Sequence, residues 1–281
     1  MASCSVFVSA VYCFLRNAVH YCSRVCITDL SLKFNNMTDI ITRSYLHLVD
    51  NYPPGLVEVA GTLAAQLLII IPYGVIYLRP LKSRGDMLKC LPDTVLNTSY
   101  VTLVHLLMVW MKAKITSPEK HFLEASLASL PRALPEWKGF LVSFAIGYVI
   151  YDFLFWGTHR LLHNKVMYMW FHKKHHGFNA EVPWAAFYVH PVEYTTVNFG
   201  LAFVLTALMR AHVASLWFTT SYFMFVAQTI HCPKPWSKVP FLMNHEGHHS
   251  HRDINYGAVG IADSLFGTFT RRKGRYYVVS Y

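Results

Sequence analysis

Long apolar stretches dominate this chain, and polar residues collect between them. Leu56 to Leu78 reads LVEVAGTLAAQLLIIIPYGVIYL, with a single acid, Glu58, near its start. About twenty mostly apolar residues suffice to cross the hydrocarbon core of a bilayer as a helix, so this segment predicts a span. A shorter candidate follows at Val95 to Met111, and a third at Gly139 to Trp156, GFLVSFAIGYVIYDFLFW. The apolar region from Val192 to His231 is too long for one crossing and carries Arg210 and His212 at its middle. It therefore predicts two helices joined by a tight turn, entering and leaving on one side. The architecture predicted is all-α: an integral membrane helical bundle of about four to five spans, with a cytosolic histidine-rich helical cap. Residues 1–55 form an amino-terminal segment whose topology the pattern leaves open, and residues 56–281 form one membrane-embedded domain.

Composition strengthens this picture. Hydrophobic residues make up 54% of the chain and charged ones only 14%, whereas about a quarter of an ordinary soluble domain is charged. The short basic loop with Arg79, Lys82, Arg84 and Lys89 belongs on the cytosolic side by the positive-inside rule. Two further crossings and the hairpin then bring the histidines from 159 to 190 and from 231 to 251 to that same face. The amino-terminal SVFVSAVYCFLRNAVHYC is apolar but lacks the basic start and small-residue cleavage site of a signal peptide. Cys4, Cys13, Cys22 and Cys26 match no metal spacing and read as apolar packing. Asn36-Met37-Thr38 fits the glycosylation acceptor pattern, which points to a lumenal amino-terminal end. The net charge of +10 suits basic cytosolic loops, or a surface that attracts anionic lipid or an acidic soluble partner. Basic residues are scattered among the apolar segments and RRKGR at 271–275 stands alone, so no nucleic-acid partner is expected.

Histidine changes the picture most. His159 and His163 are four apart; His172 is followed at three and four by His175 and His176, and His245 at three and four by His248 and His249. On a helix those offsets place side chains on one face, a turn apart, so that imidazoles converge on an ion. His190 and His231 bracket the predicted hairpin, and folding it carries both towards the same floor. Ten histidines exceed the capacity of one metal, so the pattern predicts a dinuclear site with four or five per ion. Neutral imidazole suits zinc, copper, iron and nickel. Uncompensated, so many imidazoles beside a membrane would be costly. His20, His47, His105, His121 and His212 lack partners at ligand spacing and read as ordinary residues.

The series HxxxH, HxxHH, HxxHH resembles the fatty acid hydroxylase and sterol desaturase superfamily of membrane-bound di-iron oxygenases. The resemblance runs from about Pro135 to Thr268 through PEWKGF, YDFLFWGTHRLLH, FHKKHH, YVHPVE, HEGHHSHRDINYG and DSLFGT. Within the superfamily, HKKHHGFNAEVPWAAFYVHPVE and IHCPKPWS look most like sterol C-4 methyl oxidases. Sterol C-5 desaturases and hydroxylases of fatty-acid, sphingoid or ether lipids follow closely. The resemblance implies two iron ions, for which zinc can substitute on purification, held by His159, His163, His172, His175, His176, His190, His231, His245, His248 and His249. It implies O2-dependent attack on an unactivated C–H bond: return of hydroxyl gives an alcohol, loss of a second hydrogen an alkene. It also implies a cytochrome b5-type donor fed by an NAD(P)H reductase, and a multi-pass chain in the endoplasmic reticulum membrane with its site facing the cytosol. The chain itself has no GxGxxG after a strand, no CxxCH and no iron–sulfur spacing, which agrees with a separate donor.

Metal-bound histidines usually donate their second N–H to a carboxylate or carbonyl. Asp152, Glu193, Glu246 and Asp253 are placed for this, and Asn255 of NYG is a further candidate. HEGHH also reads as HExxH, the zinc protease signature in which Glu246 would be the general base. An intramembrane protease accounts for His245, Glu246 and His249 but leaves the other clusters idle. A protein that stores or carries metal without catalysis is a third possibility, separable by unchanged lipids when the histidines are lost.

Overall fold

The computed structural model describes residues 27–178, 181–209, 211–232, 245–273 and 276–279. The four amino-terminal cysteines and His20 lie outside the described residues. The chain divides into two compact units, Met1–Tyr52 with Pro131–Leu134 and Pro53–Leu130 with Pro135–Tyr281. In the first, α1 (Ile27–Asn51) carries Tyr45 and Asp50. The Tyr45 hydroxyl donates to the Pro131 carbonyl and Arg132 pairs with Asp50, which ties residues 131–134 to this unit.

The second unit holds α2 (Pro54–Leu78), α3 (Leu81–Thr116) and α4 (Trp137–Leu162). These three are long and apolar enough to cross a membrane by length and composition. They contain the three predicted spans, and α3 extends a turn or more beyond its candidate at each end. Leu68, Ile71, Leu103, Leu107, Val142 and Ile146 are each at least half exposed. Apolar surface of that extent is the mark of contact with lipid rather than water. The region 192–231 forms a helical hairpin as expected. Its first arm, α6, spans 191–208 and its second, α7, is Val213–Ile230. His212 ends the turn by accepting from the Ala214 amide, so it is a cap.

Two ends of the bundle can be told apart by who meets whom. At one end Glu58 of α2 is fully buried, 2.7 Å from His105 of α3, and its other oxygen accepts from the Leu127 and Ala128 amides. His105 thus has a partner that local spacing does not reveal. The hairpin turn is at this end too, where Ser129 bridges to His212. At the other end the carboxyl-terminal halves of α2 and α7 meet through the Tyr73 and Thr229 hydroxyls at 2.6 Å. Pro183–Phe187, a 3₁₀ turn, packs there against α2, because Gly74 leaves room for the Trp184 ring: a Cβ would lie 2.5 Å from it. α4 ends here as well, at His159 and His163, so the histidines gather at one end of the bundle.

Asn97 of α3 holds that loop from the opposite side. Its amide donates to the Phe187 and Val189 carbonyls at 2.8 and 3.2 Å, fully buried. Asn97→Ala strands the Val189 carbonyl away from water and leaves Phe187 only its bond from the Val189 amide, and is expected to cost about 1–3 kcal/mol, read as a lowered thermal midpoint of the detergent-solubilised protein.

After α4 come α5 (165–176), whose Tyr168–His172 portion is π-helical, then α8 (His245–Ser250) and α9 (Ile261–Phe266). A short antiparallel ladder, β1 (Thr270–Lys273) with β2 (Tyr276–Val279), comes next, with Thr270 opposite Val279. This ladder is a small addition to a helical architecture.

Candidate metal centre

Nine histidines converge in two adjacent groups. His159, His163, His172, His176 and His248 form one, and His175, His231, His245 and His249 the other; within each, one nitrogen per ring lies within 4.8 Å of all the rest. The division follows helical phase. In each helical pair four apart, 159 and 163, 172 and 176, 245 and 249, both members join the same group, whereas the middle histidine of each HxxHH, His175 or His248, crosses to the other. A residue at i+4 lies over residue i, while the one at i+3 is rotated enough to face the neighbouring centre. Rings of different groups approach closely, His176 to His249 at 4.7 Å and His245 to His248 at 5.4 Å between centroids.

The spacing of the nitrogens fits shared ions. In the first group the Nε2 atoms of His159 and His172 are 3.1 Å apart, those of His172 and His163 3.0 Å, and those of His176 and His172 3.0 Å. In the second, His249 Nε2 lies 3.1 Å from His175 and 3.0 Å from His245. Ligands about 2.1 Å from a common ion, set at right angles, are about 3.0 Å apart. His231 Nε2 is buried with no hydrogen-bond partner, as a nitrogen reserved for a metal would be.

Four of the opposite ring nitrogens are held, whereas those of His175 and His176 are buried without a partner. His159 Nδ1 lies 2.7 Å from the Tyr256 carbonyl, His248 Nδ1 2.7 Å from Ile254, and His231 Nδ1 2.7 Å from Ala227. A carbonyl accepts only, so each Nδ1 carries the proton and each Nε2 offers its lone pair inward. His172 Nδ1 is 2.7 Å from Glu193 Oε1. Burial, helped by neighbouring imidazoles, brings His163 and His176 down to about 3 and His249 to about 2. Burial brings His231 to about 4, and His172, His175, His245 and His248 are also lowered well below the usual value. At neutral pH these rings are uncharged, the form that ligates. Burial pushes Glu193 up; a cation bound beside His172 would oppose that shift.

His190 stands apart from both groups. It caps the start of α6 by accepting from the Val192 amide, and its ring meets Phe171 edge-on at 5.2 Å. Among the described carboxylates, only Glu193 touches a clustered histidine directly. Asp152, fully buried, accepts from the Val259 and Ala262 amides instead. Asp253 is exposed. Asn255, at φ 54°, pairs through its side chain with the Thr270 backbone, fastening β1 beneath the site. The Glu246 side chain lies outside the described residues.

Asp263 escapes sequence reasoning. It is fully buried and accepts from the Tyr256 and Gly257 amides, at 2.8 and 2.7 Å, and from the Thr268 hydroxyl. Asp152 and Asp263 thus build the turn 254–262 whose carbonyls orient His248 and His159. The signal available was the pairing of NYG with DSLFGT, both of which supply this turn. Glu193→Ala leaves His172 Nδ1 without its acceptor. Supporting residues of this kind are worth about 10–100-fold in metal affinity, so a loss of that size is expected in metal titration, with Glu193→Gln retaining more because its amide oxygen still accepts.

An apolar cavity of about 70 Å³ lies directly beneath the two groups, reached by His159, His172, His175, His231 and His245 and walled by Tyr151, Phe199, Phe223 and Met224. Clustered neutral imidazoles open onto a greasy cavity: this arrangement suits oxidative chemistry on an apolar molecule.

The fatty acid hydroxylase family model matches residues 144–268, a span that contains both histidine groups, Asp152 and Asp263. That stretch, less than half of the chain, carries the likeness to the fatty acid hydroxylase family. The chain is similar to fatty acid hydroxylase domain-containing protein 2 of Macaca fascicularis, 34% identical over 142 residues, or 50% of this chain and 43% of that protein. It is also similar to fatty acid hydroxylase ahd1 of Mycosarcoma maydis, 32% identical over 140 residues, 48% of this chain and 35% of that protein. Methylsterol monooxygenase 2-2 of Arabidopsis thaliana is 30% identical over 138 residues, 47% of this chain and 52% of that protein. The matched stretch thus spans less than half of the first two relatives. No solved structure matches the chain.

Proposed function

We propose that this protein is a membrane-bound, two-metal oxygenase that oxidises a C–H bond of a lipid. The observation that carries the reading is the pair of histidine groups opening onto one apolar cavity within a membrane-type bundle. Iron is the metal proposed: an imidazole-rich centre suits it, and bound iron would supply the O2 activation that no side chain can. The chain's own residues orient the imidazoles, exclude water with Tyr151, Phe199 and Phe223, and hold an apolar substrate beneath the metal sites. The sequence offers ten histidines as ligands; we propose the nine that converge, with His190 as a cap.

The substrate proposed first is a sterol methyl group, following the likeness to a methylsterol monooxygenase. A linear lipid is the second reading, favoured by relatives named fatty acid hydroxylases. An HExxH protease fits less well, because His245 and His249 share their group with His175 and His231 and five further histidines stand beside them. Residence in the endoplasmic reticulum membrane with the site facing the cytosol, and a cytochrome b5-type donor, complete the proposal. Arg160, Lys165, Lys173 and Arg252 are exposed around the histidine end and would attract an acidic carrier.

The test is a sterol and lipid profile of cells lacking the protein, rescued by the intact chain or by a His175→Ala/His176→Ala variant. Accumulation of a methylated sterol precursor that only the intact chain clears supports the sterol reading. A different oxidised lipid class, restored in the same way, replaces that substrate, and no lipid change at all refutes the oxygenase.

A further inference from the structure

The cavity beneath the histidines is continued by a second, smaller one. That second cavity, about 30 Å³, lies between the same three helices and is lined by Gly147 and Tyr148 of α4, Leu205 of α6, Met209, and Ser215 and Thr219 of α7. Ala202 borders both cavities. On α4, Tyr151 lines the first and Tyr148 the second; on α7, Phe223 lines the first and Thr219 the second; on α6, Phe199 lines the first and Leu205 the second. In each helix the second set lies towards the end remote from the histidines, so the two spaces follow one line through the bundle. From His159 to Ser143, at the far lining, α4 rises about 24 Å at 1.5 Å per residue, most of a hydrocarbon core about 30 Å thick.

Aromatic rings stand between the two spaces. Tyr151 stacks on Phe223 with centroids 3.7 Å apart, and Tyr148 lies nearly parallel to Phe223 at 6.1 Å. The Tyr148 hydroxyl meets that of Tyr222 at 3.3 Å, which holds its ring in place. These rings pack in one apolar cluster with Leu205, Ala258 and Val259.

We propose that Phe223, held between Tyr151 and Tyr148, is a specificity-determining partition that closes the remote end of the cavity and limits how far a substrate's alkyl tail extends. The proposal rests on the reading of the first cavity, beneath the histidines, as the lipid site. Removing the ring joins the two spaces, and the longer tail then fits without displacing protein. Each further CH₂ buried is worth about 0.8 kcal/mol, or roughly fourfold in affinity, so two admitted carbons exceed tenfold.

The experiment uses the full chain in detergent and a series of straight-chain alcohols of ~10 to ~20 carbons, each ending in a photoreactive diazirine. In the intact protein, labelling should reach Phe199 and Phe223 and fall off above a limiting length. In Phe223→Ala the limit should move to longer probes by two or more carbons, the long-to-short labelling ratio should rise at least about tenfold, and new labels should appear at Gly147, Leu205 or Met209. Phe223→Leu, which conserves more volume, provides a folded variant with a smaller shift of the same sign. Adding Gly147→Leu to either variant should cancel the shift by refilling the second cavity, while Gly147→Leu alone should leave the length limit as it was. An unchanged limit in both Phe223 variants, or labels that never enter the cavity, overturns the proposal. Labelling needs neither metal nor O2: a shifted limit in a chain that oxidises no lipid would sustain the partition and sink the oxygenase.

Discussion

Replacing His175 and His249 together with alanine is expected to remove one metal ion per chain and leave the other. The two residues belong to the four-histidine group, and their loss leaves only His231 and His245 for that ion, whereas the five-histidine group keeps all its members. Replacing His159, His163 and His176 should remove the other ion by leaving it only His172 and His248, although His175 and His176 are neighbours in sequence. The proposed lipid oxidation should fall by at least about 100-fold in either variant, since residues that merely support ligands are worth about 10–100-fold. Elemental analysis of the purified variants, with product quantified by mass spectrometry, decides the matter. Simultaneous loss of both ions from each variant, in protein that stays folded, would show that the division into two groups is wrong.

Gly257→Ala carries the second large effect. A Cβ on residue 257 would sit 2.8 Å from both Asp152 Oδ1 and Asp263 Oδ2, two buried carboxylates already committed to backbone amides. Nothing there is a flexible chain end that can swing away, so the turn 254–262 must shift. Overpacking of this kind costs about 1–3 kcal/mol, and the carbonyls displaced are those that fix His159 and His248. The expected outcome is a thermal midpoint lower by several degrees, with metal lost preferentially from the five-histidine group. A variant that keeps both ions and its midpoint would show that Tyr256 and Ile254 do not orient their histidines. Gly85→Ala, where a Cβ meets nothing within 4 Å, is the matched control.

Local pattern makes much of this architecture legible. The three apolar stretches and the interrupted region 192–231 correspond to helices because backbone groups in lipid must be satisfied within the segment, and helix length is set by bilayer thickness. The histidine offsets likewise identify the residues that come together, because 3.6-residue periodicity is a property of the helix itself. What local pattern does not contain is distance along the chain. The allotment of His175 and His248 to the opposite groups depends on how α5 and α8 face one another. His190 has no helical partner at ligand spacing, and the proline after it starts a helix that turns its ring into a cap. Asp263 and Asp152 serve the site through a turn 107–110 residues from Asp152, a relation no offset records. The Glu58–His105 contact spans 47 residues and is invisible to local pattern for the same reason.

The structure also explains why two π-helical segments border the site. Tyr168–His172 delivers His172 to the first group, and Tyr194–Phe199 comes directly after Glu193 and walls the cavity with Tyr194, Val197 and Phe199. A π turn inserts an extra residue and rotates the next turn of helix, a device often found at functional sites. Here it lets a single chain segment present a carboxylate towards His172 and aromatic rings towards the apolar cavity.

The most direct measurement is the metal content of the intact chain, expressed with iron supplied and purified without chelators. Two ions per chain, falling to one in the His175→Ala/His249→Ala variant, is the result the two-group centre predicts; a ratio of one or none in folded protein that still oxidises lipid would contradict it.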